Sequence, residues 1–290
     1  MLKIESPQPK ASFRIRCKKE GRGHCLPIAP RSGQGEIILM KRNSANIEWT
    51  YGAIPFARNE THDKVIEMMD KEPRGRVLDV PTGTGILAER LRKMGFEVSC
   101  CDINSSFFSV PDLKIDIGDL NQSLPYPDHS FDYLVCLEGI EHTENPSNAI
   151  REFQRIMKKG GKIFLSLPNF LNIERRIRFL FSGTFSKIPS HEVVKKIWKG
   201  DLSMAHLSPL GYPLLKFILE YYGFRILRLE KDKSKRRMVW LLPLVWFIRL
   251  YGRFASQKRK EVYRLDETTR DEIILGGNTL IIMGEKGSEG

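Results

Sequence analysis

Residues 76–95 join a strand, a glycine turn and a helix in one run, and this run constrains the fold more than any other part of the chain. Its first five residues suit a buried parallel strand, and the strand carries an acid, Asp79. Gly83 and Gly85 have no Cβ, so the turn can close tightly and a ligand can approach the backbone. Apolar residues at helical spacing follow, and Gly95 predicts where the helix ends. The run predicts a site for a ribonucleoside cofactor.

A second short strand follows this helix and ends at Asp102. In a nucleotide-binding βαβ unit, an acid at this place binds the ribose hydroxyls. Residues 83–88 also satisfy the dinucleotide pattern G-x-G-x-x-G/A. A dinucleotide, however, places its pyrophosphate at the helix N-terminus, where Asp79 would contribute little to binding. S-adenosylmethionine has an α-ammonium and a sulfonium and no phosphate, so a carboxylate near the turn favours that cofactor.

Asp79, Gly83 and Gly85 resemble the first motif, D/E-x-G-x-G-x-G, of the class I S-adenosylmethionine-dependent methyltransferases. Pro81 stands where that motif has its first glycine, so we expect a stiffer turn. The resemblance implies S-adenosylmethionine as the cofactor. It also implies further cofactor-binding residues: Asp119, which matches the acid that binds the adenine amino group, Leu120 beside it, and Glu138 after the fourth strand.

The resemblance extends over residues 76–168 and implies the fold of that family. We expect a Rossmann-like α/β fold with a doubly wound, seven-stranded, mostly parallel sheet whose last strand is antiparallel. The alternation of strands and helices independently predicts a parallel, doubly wound sheet. Residues 224–229 and 278–283 are the predicted sixth and seventh strands.

The chemistry is expected at Glu138, Glu141 and His142, which would share one face of a helical turn after the fourth strand. Glu-x-x-Glu-His resembles a sequence found in some O-methyltransferases, including those of the ubiquinone pathway and of small-RNA 3′ ends. In the latter it binds a divalent metal together with a histidine downstream. The resemblance implies His206 as that histidine, with His191 as a second candidate. Two carboxylates and imidazoles suit Mg²⁺, Mn²⁺ or another first-row ion.

Two interpretations without a metal stay open for this turn. In the first, His142 is a general base near neutral pH, and Glu141 is catalytic with it. In the second, the turn only shapes the methionine pocket.

The positive charge of the chain, +12 in all, is concentrated in two segments. Residues 1–42 contain ten Lys/Arg against three acids, and residues 231–260 contain ten against one. The apolar residues 238–248 would span about 16 Å as a helix, half of a bilayer's hydrocarbon thickness, which argues against a transmembrane span. Their tryptophans and basic flanks suit the interface of an anionic membrane. The alternative is a helix packed on the core or on a second subunit.

Four segments follow from these patterns. They are a basic, partly disordered arm over 1–48, a methyltransferase core over 49–230, a basic apolar insertion over 231–270, and the final strand and tail over 271–290. Within the core, residues 169–222 resemble the acceptor-binding cover of methyltransferases that act on polysaccharides and lipid-linked glycans. The predicted location is cytoplasmic, peripheral at the inner membrane face if the insertion meets lipid, because the cysteines suit a reducing compartment and no apolar signal segment precedes the arm.

The expected activity is methyl transfer to a hydroxyl of a glycan or of a lipid-linked small molecule. A quinone-like lipid is the nearest alternative acceptor, and RNA, which the positive charge and the Glu-Glu-His resemblance support, ranks third. A protein that binds S-adenosylmethionine without turnover is the alternative from another functional class. The sequence leaves the oligomeric state open.

Overall fold

A seven-stranded sheet with helices on both faces positions the site. The computed structural model describes residues 38–42, 47–51, 57–197, 205–234 and 236–287. The strands of the sheet are β3 (Arg76–Asp79), β4 (Glu97–Asp102), β5 (Ile115–Ile117), β6 (Phe131–Leu137), β7 (Met157–Pro168), β8 (Phe224–Lys231) and β9 (Thr279–Lys286); β1 (Ile38–Arg42) and β2 (Ile47–Tyr51) pair separately as an antiparallel hairpin.

Helices connect most of these strands. They are α1 (Asn59–Met69), α2 (Ile86–Lys93), α3 (Pro146–Ile156), α4 (Ile173–Ser182), α5 (His191–Ile197), α6 (Tyr212–Tyr221), α7 (Leu242–Phe254), α8 (Gln257–Tyr263), α9 (Leu265–Thr268) and α10 (Asp271–Ile274).

The strand order is β5-β4-β3-β6-β7-β9-β8. The first five strands in this order are parallel, whereas β9 lies between β7 and β8 and runs antiparallel to both. The predicted fold class is therefore confirmed. Since neighbouring parallel strands end at one edge, the residues that follow β3, β4 and β6 meet there.

The sheet separates two hydrophobic layers, because successive strand residues point to opposite faces. Val77 packs with α1 and α2 on one face, and Leu78 packs with α3 and α6 on the other. Cys100 and Cys101 of β4 and Cys136 of β6 are buried free thiols.

The two basic segments differ in how far the structure describes them. Residues 1–37 of the predicted arm lie outside the described residues. The hairpin β1–β2 overlaps the last residues of the predicted arm, and the arm's boundary stays a prediction. All of the insertion except residue 235 is described, and helices α7 to α10 lie between β8 and β9. Within the described residues, every helix is too short or too polar to cross a bilayer.

Candidate active site

A cleft of about 260 Å³ opens where β3, β4 and β6 end. Loops after these strands supply most of its walls, as expected for an open α/β sheet. The predicted cofactor residues Asp79, Gly83, Asp102, Asp119, Leu120 and Glu138 all line it, together with His142.

The glycine turn depends on backbone conformations that favour glycine. Gly83 has φ 53° and Gly85 has φ 83°, both in the left-handed region. A Cβ on Gly85 would lie 2.6 Å from Cε2 of Phe108 and 2.7 Å from Cγ2 of Val110. Gly85 is not among the lining residues, so the motif needs it for packing behind the turn, at the start of α2.

Asp102 links the end of β4 to the glycine turn. Its Oδ2 accepts the Gly83 N–H at 2.8 Å, and its Oδ1 accepts the Asn104 N–H at 3.0 Å. Each carboxylate oxygen keeps a second lone pair, so the ribose role predicted for Asp102 is compatible with these bonds. Burial raises the pKa of Asp102, and the two backbone donors counteract that rise.

Asp79 is a buried acid that lines the cleft, with 1% of its surface exposed. The Thr82 hydroxyl donates to its Oδ2 at 2.9 Å. Burial, with a smaller contribution from the negative Asp102, raises the pKa of Asp79 to about 7. A bound cation would favour the ionised form of such a carboxyl, so the site fits the α-ammonium of S-adenosylmethionine.

Asp119 lies beyond the end of β5 and is held by its own loop. Its Oδ1 accepts the backbone N–H of Asn121 at 2.8 Å and the side-chain amide of the same residue at 3.1 Å. Leu120 beside it is buried, and the two residues form one wall of the cleft.

Pro81, the departure from the glycine motif, packs against the loop after β6. A Cβ on Gly139 would lie 2.3 Å from Cδ of Pro81, so only glycine fits opposite the proline ring. The glycine missing at position 81 is thus matched by a glycine at position 139. Both residues line the cleft.

Glu138 turns the chain away from β6 with φ 50°, an uncommon conformation for a residue other than glycine. It is anchored to Ser166 on β7: its N–H donates to the serine Oγ at 2.9 Å, and that hydroxyl donates to Oε1 of Glu138 at 3.3 Å. Burial raises the pKa of the Glu138 carboxyl.

Glu141 and His142 lie in a 3-10 turn over Ile140–His142, which Glu138 precedes with φ 50°. Three of the four predicted metal ligands come together: Glu141, His142 and His206 offer ligand atoms within 4.8 Å of one another. Glu138 is not in this group, although it is close enough to Glu141 to raise the pKa of that acid, so its role as a ligand stays a prediction. His191 lies on α5 and is also outside the group.

Glu141 is an unusual buried acid, with 1% of its surface exposed. Neither of its carboxylate oxygens has a hydrogen-bond partner among the described residues. Burial raises the pKa of Glu141 well above its ordinary value, and the nearby Glu138 raises it further. Glu141 does not line the cleft. A carboxylate in this position is costly unless it is protonated or meets a cation.

His142 joins the cleft to the segment that carries His206. Its Nδ1 lies 3.0 Å from the main-chain oxygen of Ala205, and because that oxygen only accepts, Nδ1 carries the proton. In the neutral ring, the lone pair is then on Nε2. The rings of His142 and His206 meet edge to face at 4.9 Å between centroids, and burial lowers the pKa of His206. The Ser208 N–H fixes the segment by donating to the Glu141 main-chain oxygen at 3.0 Å.

Residues 169–222, predicted to cover the acceptor, contribute no lining residue to the cleft among those described. Their contact with the site runs through Ala205, His206 and Ser208. Residues 198–204 of this segment lie outside the described part of the chain.

Several lining residues were missed from the sequence. His62 on α1 lines the cleft, and burial, with a smaller contribution from Arg90, lowers its pKa to about 4, so its ring is neutral at pH 7. Nδ1 of His62 has no hydrogen-bond partner among the described residues. No sequence motif identifies His62, because α1 comes before the glycine turn with which the recognisable motifs begin. Ile103, Asn104 and Phe107 also line the cleft. They come shortly after Asp102 in the chain, so the prediction of a ribose-binding acid indicated this segment.

The comparisons with known proteins agree with this geometry. The model of a family described as "Methyltransferase domain" matches residues 55–229. A ubiquinone biosynthesis O-methyltransferase of Dechloromonas aromatica is 34% identical over 172 residues, which cover 51% of this chain and 68% of that protein. A ubiquinone/menaquinone biosynthesis C-methyltransferase of a Shewanella species is 27% identical over 225 residues, covering 72% of this chain and 80% of the relative.

A solved structure shares the fold. The crystal structure of an S-adenosylmethionine-dependent methyltransferase from Archaeoglobus fulgidus superposes with a TM-score of 0.50 and 20% identity, covering 78% of this chain and 94% of that one. The family match takes in the glycine turn, the cleft acids and the turn at 138–142. The chain belongs to the methyltransferase-domain family and is an S-adenosylmethionine-dependent methyltransferase.

Proposed function

We propose that the protein methylates a hydroxyl oxygen of an acceptor carried on a lipid, either a lipid-linked glycan or a quinone-type lipid. The observation that carries this proposal is His142: it lines the cleft, and its bond to Ala205 leaves the lone pair on Nε2. A neutral imidazole of this tautomer accepts the proton of a hydroxyl as that oxygen attacks a methyl group.

The other site residues bind and orient. When bound, S-adenosylmethionine supplies an electrophilic methyl group on its sulfonium. Asp79 faces the ammonium in this proposal, Asp102 the ribose and Asp119 the adenine, and all three line the same cleft. Ala205 holds the His142 ring in place through its main-chain oxygen, and Ser208 fixes that segment by donating its hydroxyl to Thr143 O at 2.7 Å.

Two lines of support favour a lipid-borne acceptor. One relative is named as a ubiquinone biosynthesis O-methyltransferase, and ubiquinone is a lipid quinone. In addition, α4 and α7 expose large apolar side chains, such as Phe181 and Trp246, on the outside of the protein. A second relative is named as a C-methyltransferase, so the atom that receives the methyl group has to be identified in the product.

The test is methyl transfer from labelled S-adenosylmethionine to a panel of acceptors: a demethylated quinol, a polyprenyl-linked glycan and a short RNA. We expect an O-methylated lipid product. His142→Ala should lower kcat by about 10² to 10⁴-fold, the range of general-base catalysis, while the affinity for S-adenosylmethionine stays within about twofold.

His129→Ala is the matched control for that variant. The Nδ1 atom of His129 also contacts a main-chain oxygen, that of Met157 at 3.1 Å, but His129 does not line the cleft. Full turnover by His142→Ala would refute the proposed base. A carbon-methylated product or methylation of RNA alone would refute the acceptor, and binding of S-adenosylmethionine without turnover on any acceptor would favour the binding protein.

As the alternative to a base at His142, we propose that a divalent cation binds Glu141, His142 and His206; because Nδ1 of His142 carries the proton, the cation would take the Nε2 lone pair. The specific observation is that both Glu141 oxygens are buried without a hydrogen-bond partner, within reach of two imidazoles. A cation there would give the carboxylate the partner it lacks, and these donors suit Mn²⁺ or another first-row ion. A cation at this place would lower the pKa of an acceptor hydroxyl.

EDTA followed by Mn²⁺ separates this second proposal from the first. If a cation takes part, EDTA abolishes turnover, Mn²⁺ restores it, and Glu141→Gln loses Mn²⁺ affinity at least tenfold. Glu144→Gln, an exposed acid three residues away, is the control and should bind Mn²⁺ like the wild type. Turnover that EDTA leaves unchanged refutes the cation and retains His142 as a base.

A further inference from the structure

Helix α7 is apolar on nearly all sides, yet only one stripe of it is covered. Val245 and Gly252 are buried, and Leu241 and Ile248 pack with them at helical spacing. A helix that is apolar all round is normally buried all round. Here the remaining faces are open to the surroundings, and the exposed apolar side chains of α7 and the turn before it include Trp240, Leu244, Trp246, Phe247, Tyr251 and Phe254.

Helix α4 adds a second apolar surface beside the first. Ile173 of α4, Val245 of α7 and Ile274 of α10 form one small buried cluster, so the two longer helices are neighbours. On its open side α4 exposes Leu180 at 77% and Phe181 at 84%. We refer to the exposed apolar side chains of residues 179–181 and 239–254 as the α4–α7 face.

The charge around the α4–α7 face is mostly positive. Residues 236–263 contain seven Lys/Arg and a single acid, Glu261. Arg253, Lys258 and Arg259 are exposed, and none of them pairs with an acid among the described residues. A surface of this kind attracts anionic groups and repels a second copy of itself.

We propose that the α4–α7 face docks the protein on a bilayer that contains anionic lipids. Tryptophan and tyrosine prefer the membrane interface, and a basic rim strengthens binding to anionic headgroups. At 13 residues α7 is about 20 Å long, so it lies in the plane of the interface instead of spanning it. A symmetric dimer through this face would bring the same basic residues against each other, which disfavours a second copy as the occupant.

The docking face is connected to the site through the start of α4. Arg175 of α4 lies 5.2 Å above the ring of Phe170, and that ring meets His206 at 6.3 Å between centroids. A lipid acceptor in the bilayer would therefore approach His142 along α4. This path rests on the proposed function, whereas docking itself does not.

The experiment is co-sedimentation of the full chain with vesicles, without acceptor or S-adenosylmethionine. Phosphatidylcholine vesicles with and without 30% phosphatidylglycerol, about a third anionic lipid, separate the charge contribution from the apolar one. We expect at least tenfold stronger binding to the anionic vesicles and a blue shift of tryptophan emission. Trp240→Glu/Trp246→Glu should lose at least tenfold in binding, and Arg253→Ser/Lys258→Ser/Arg259→Ser should lose the preference for anionic vesicles.

Phe217→Glu is the matched control. The side chain of Phe217 on α6 is 54% exposed, a fraction similar to the 58% of Trp246, and the neighbouring Lys216 is paired with Glu267. The control should bind vesicles like the wild type. Docking is refuted if the wild type does not bind anionic vesicles, if the tryptophan variant binds as tightly, or if that variant only converts a dimer into a monomer. His142→Ala should bind vesicles normally, so a failure of the proposed function is distinguishable from a failure of docking.

Discussion

Asp102, the last residue of β4, and Glu141, in the turn after β6, are both buried acids, but their surroundings are opposite. Both oxygens of Asp102 accept backbone N–H groups, and the bond from Gly83 fixes the glycine turn. Neither oxygen of Glu141 has a partner among the described residues. The cofactor side is thus preorganised by its own backbone, whereas the acceptor side holds a carboxyl that needs a proton or a cation.

The difference indicates which residues bind the cofactor and which respond to the acceptor. A preorganised acid binds the same ligand part every time, which suits a cofactor common to a whole family. An acid without donors responds to what is added to the site, which suits the half that differs between relatives. The following predictions test this contrast, from the largest expected effect to the smallest.

Gly85→Ala should destabilise the protein by about 3 to 4 kcal/mol, because the left-handed backbone and the contact with Phe108 both oppose a methyl group. Gly183→Ala is the control: Gly183 has φ 68° but nothing within 4 Å of the added Cβ, so it should lose only about 1 to 2 kcal/mol. Urea unfolding measures both. If both variants lose the same free energy of unfolding, the packing of Gly85 against Phe108 does not stabilise the cofactor turn.

Asp102→Ala should weaken S-adenosylmethionine binding about 100-fold, or about 3 kcal/mol, since Gly83 and Asn104 each lose a charged acceptor. Isothermal titration calorimetry measures the change. Asp116→Asn is the control. Asp116 is an exposed acid on neighbouring β5 that accepts the Tyr126 hydroxyl, so the variant should bind S-adenosylmethionine like the wild type. If Asp102→Ala binds normally, Asp102 is not the preorganised element we describe.

Mn²⁺ at 100 times its Kd should raise the free energy of unfolding of the wild type by about 2.7 kcal/mol, because a ligand that binds only the folded state stabilises it by mass action. EDTA should reverse the effect. His206→Ala should lose most of this stabilisation and His191→Ala none, as His191 is outside the cluster. Thermal unfolding with and without the ion measures both. Stabilisation that survives His206→Ala would locate the cation elsewhere.

The affinity for S-adenosylmethionine should rise about tenfold between pH 6 and pH 8, because the pKa of Asp79 is about 7 and the cation prefers the ionised carboxylate. Asp79→Asn should remove this rise and bind weakly throughout. Calorimetry in buffers of different ionisation enthalpy should show proton release on binding at pH 6. A flat profile in the wild type would contradict the assignment of Asp79 to the ammonium.

Asp79 has the opposite effect on stability. Its pKa is raised above the ordinary 3.8, so the folded state holds the proton more tightly than the unfolded state. The free energy of unfolding therefore falls as pH rises from about 4 to beyond 7 in the absence of ligand. The same ionisation that strengthens cofactor binding thus weakens the unliganded fold.

The sequence was most informative where the chemistry is local. Asp79, Gly83 and Asp102 follow directly from strands and a turn that their own residues specify, and all three line the cleft. The position of Glu138 was not predictable, because its left-handed conformation depends on the bonds to Ser166, 28 residues away. The match between Pro81 and Gly139 is also a contact between distant segments.

The surface was harder to predict than the cleft. The apolar residues of α4 are spaced as in a helix that packs on a core, and the sequence contains no sign that Phe181 stays outside. For α7, the apolar run with basic flanks predicted an unusual segment. Which of its residues are covered, however, depends on where Ile274 and Ile173 lie in the fold.

The place of β9 between β7 and β8 has a consequence for the order in which the protein assembles. Residues 279–285 pair with 162–168 on one side and with β8 on the other. In the sheet, β8 therefore has no partner strand until β9 has been synthesised. During translation, α7 emerges while that edge is still open. Pairing over such separations is slow, so the nascent chain offers the apolar helix α7 to a chaperone or a bilayer before its sheet is complete.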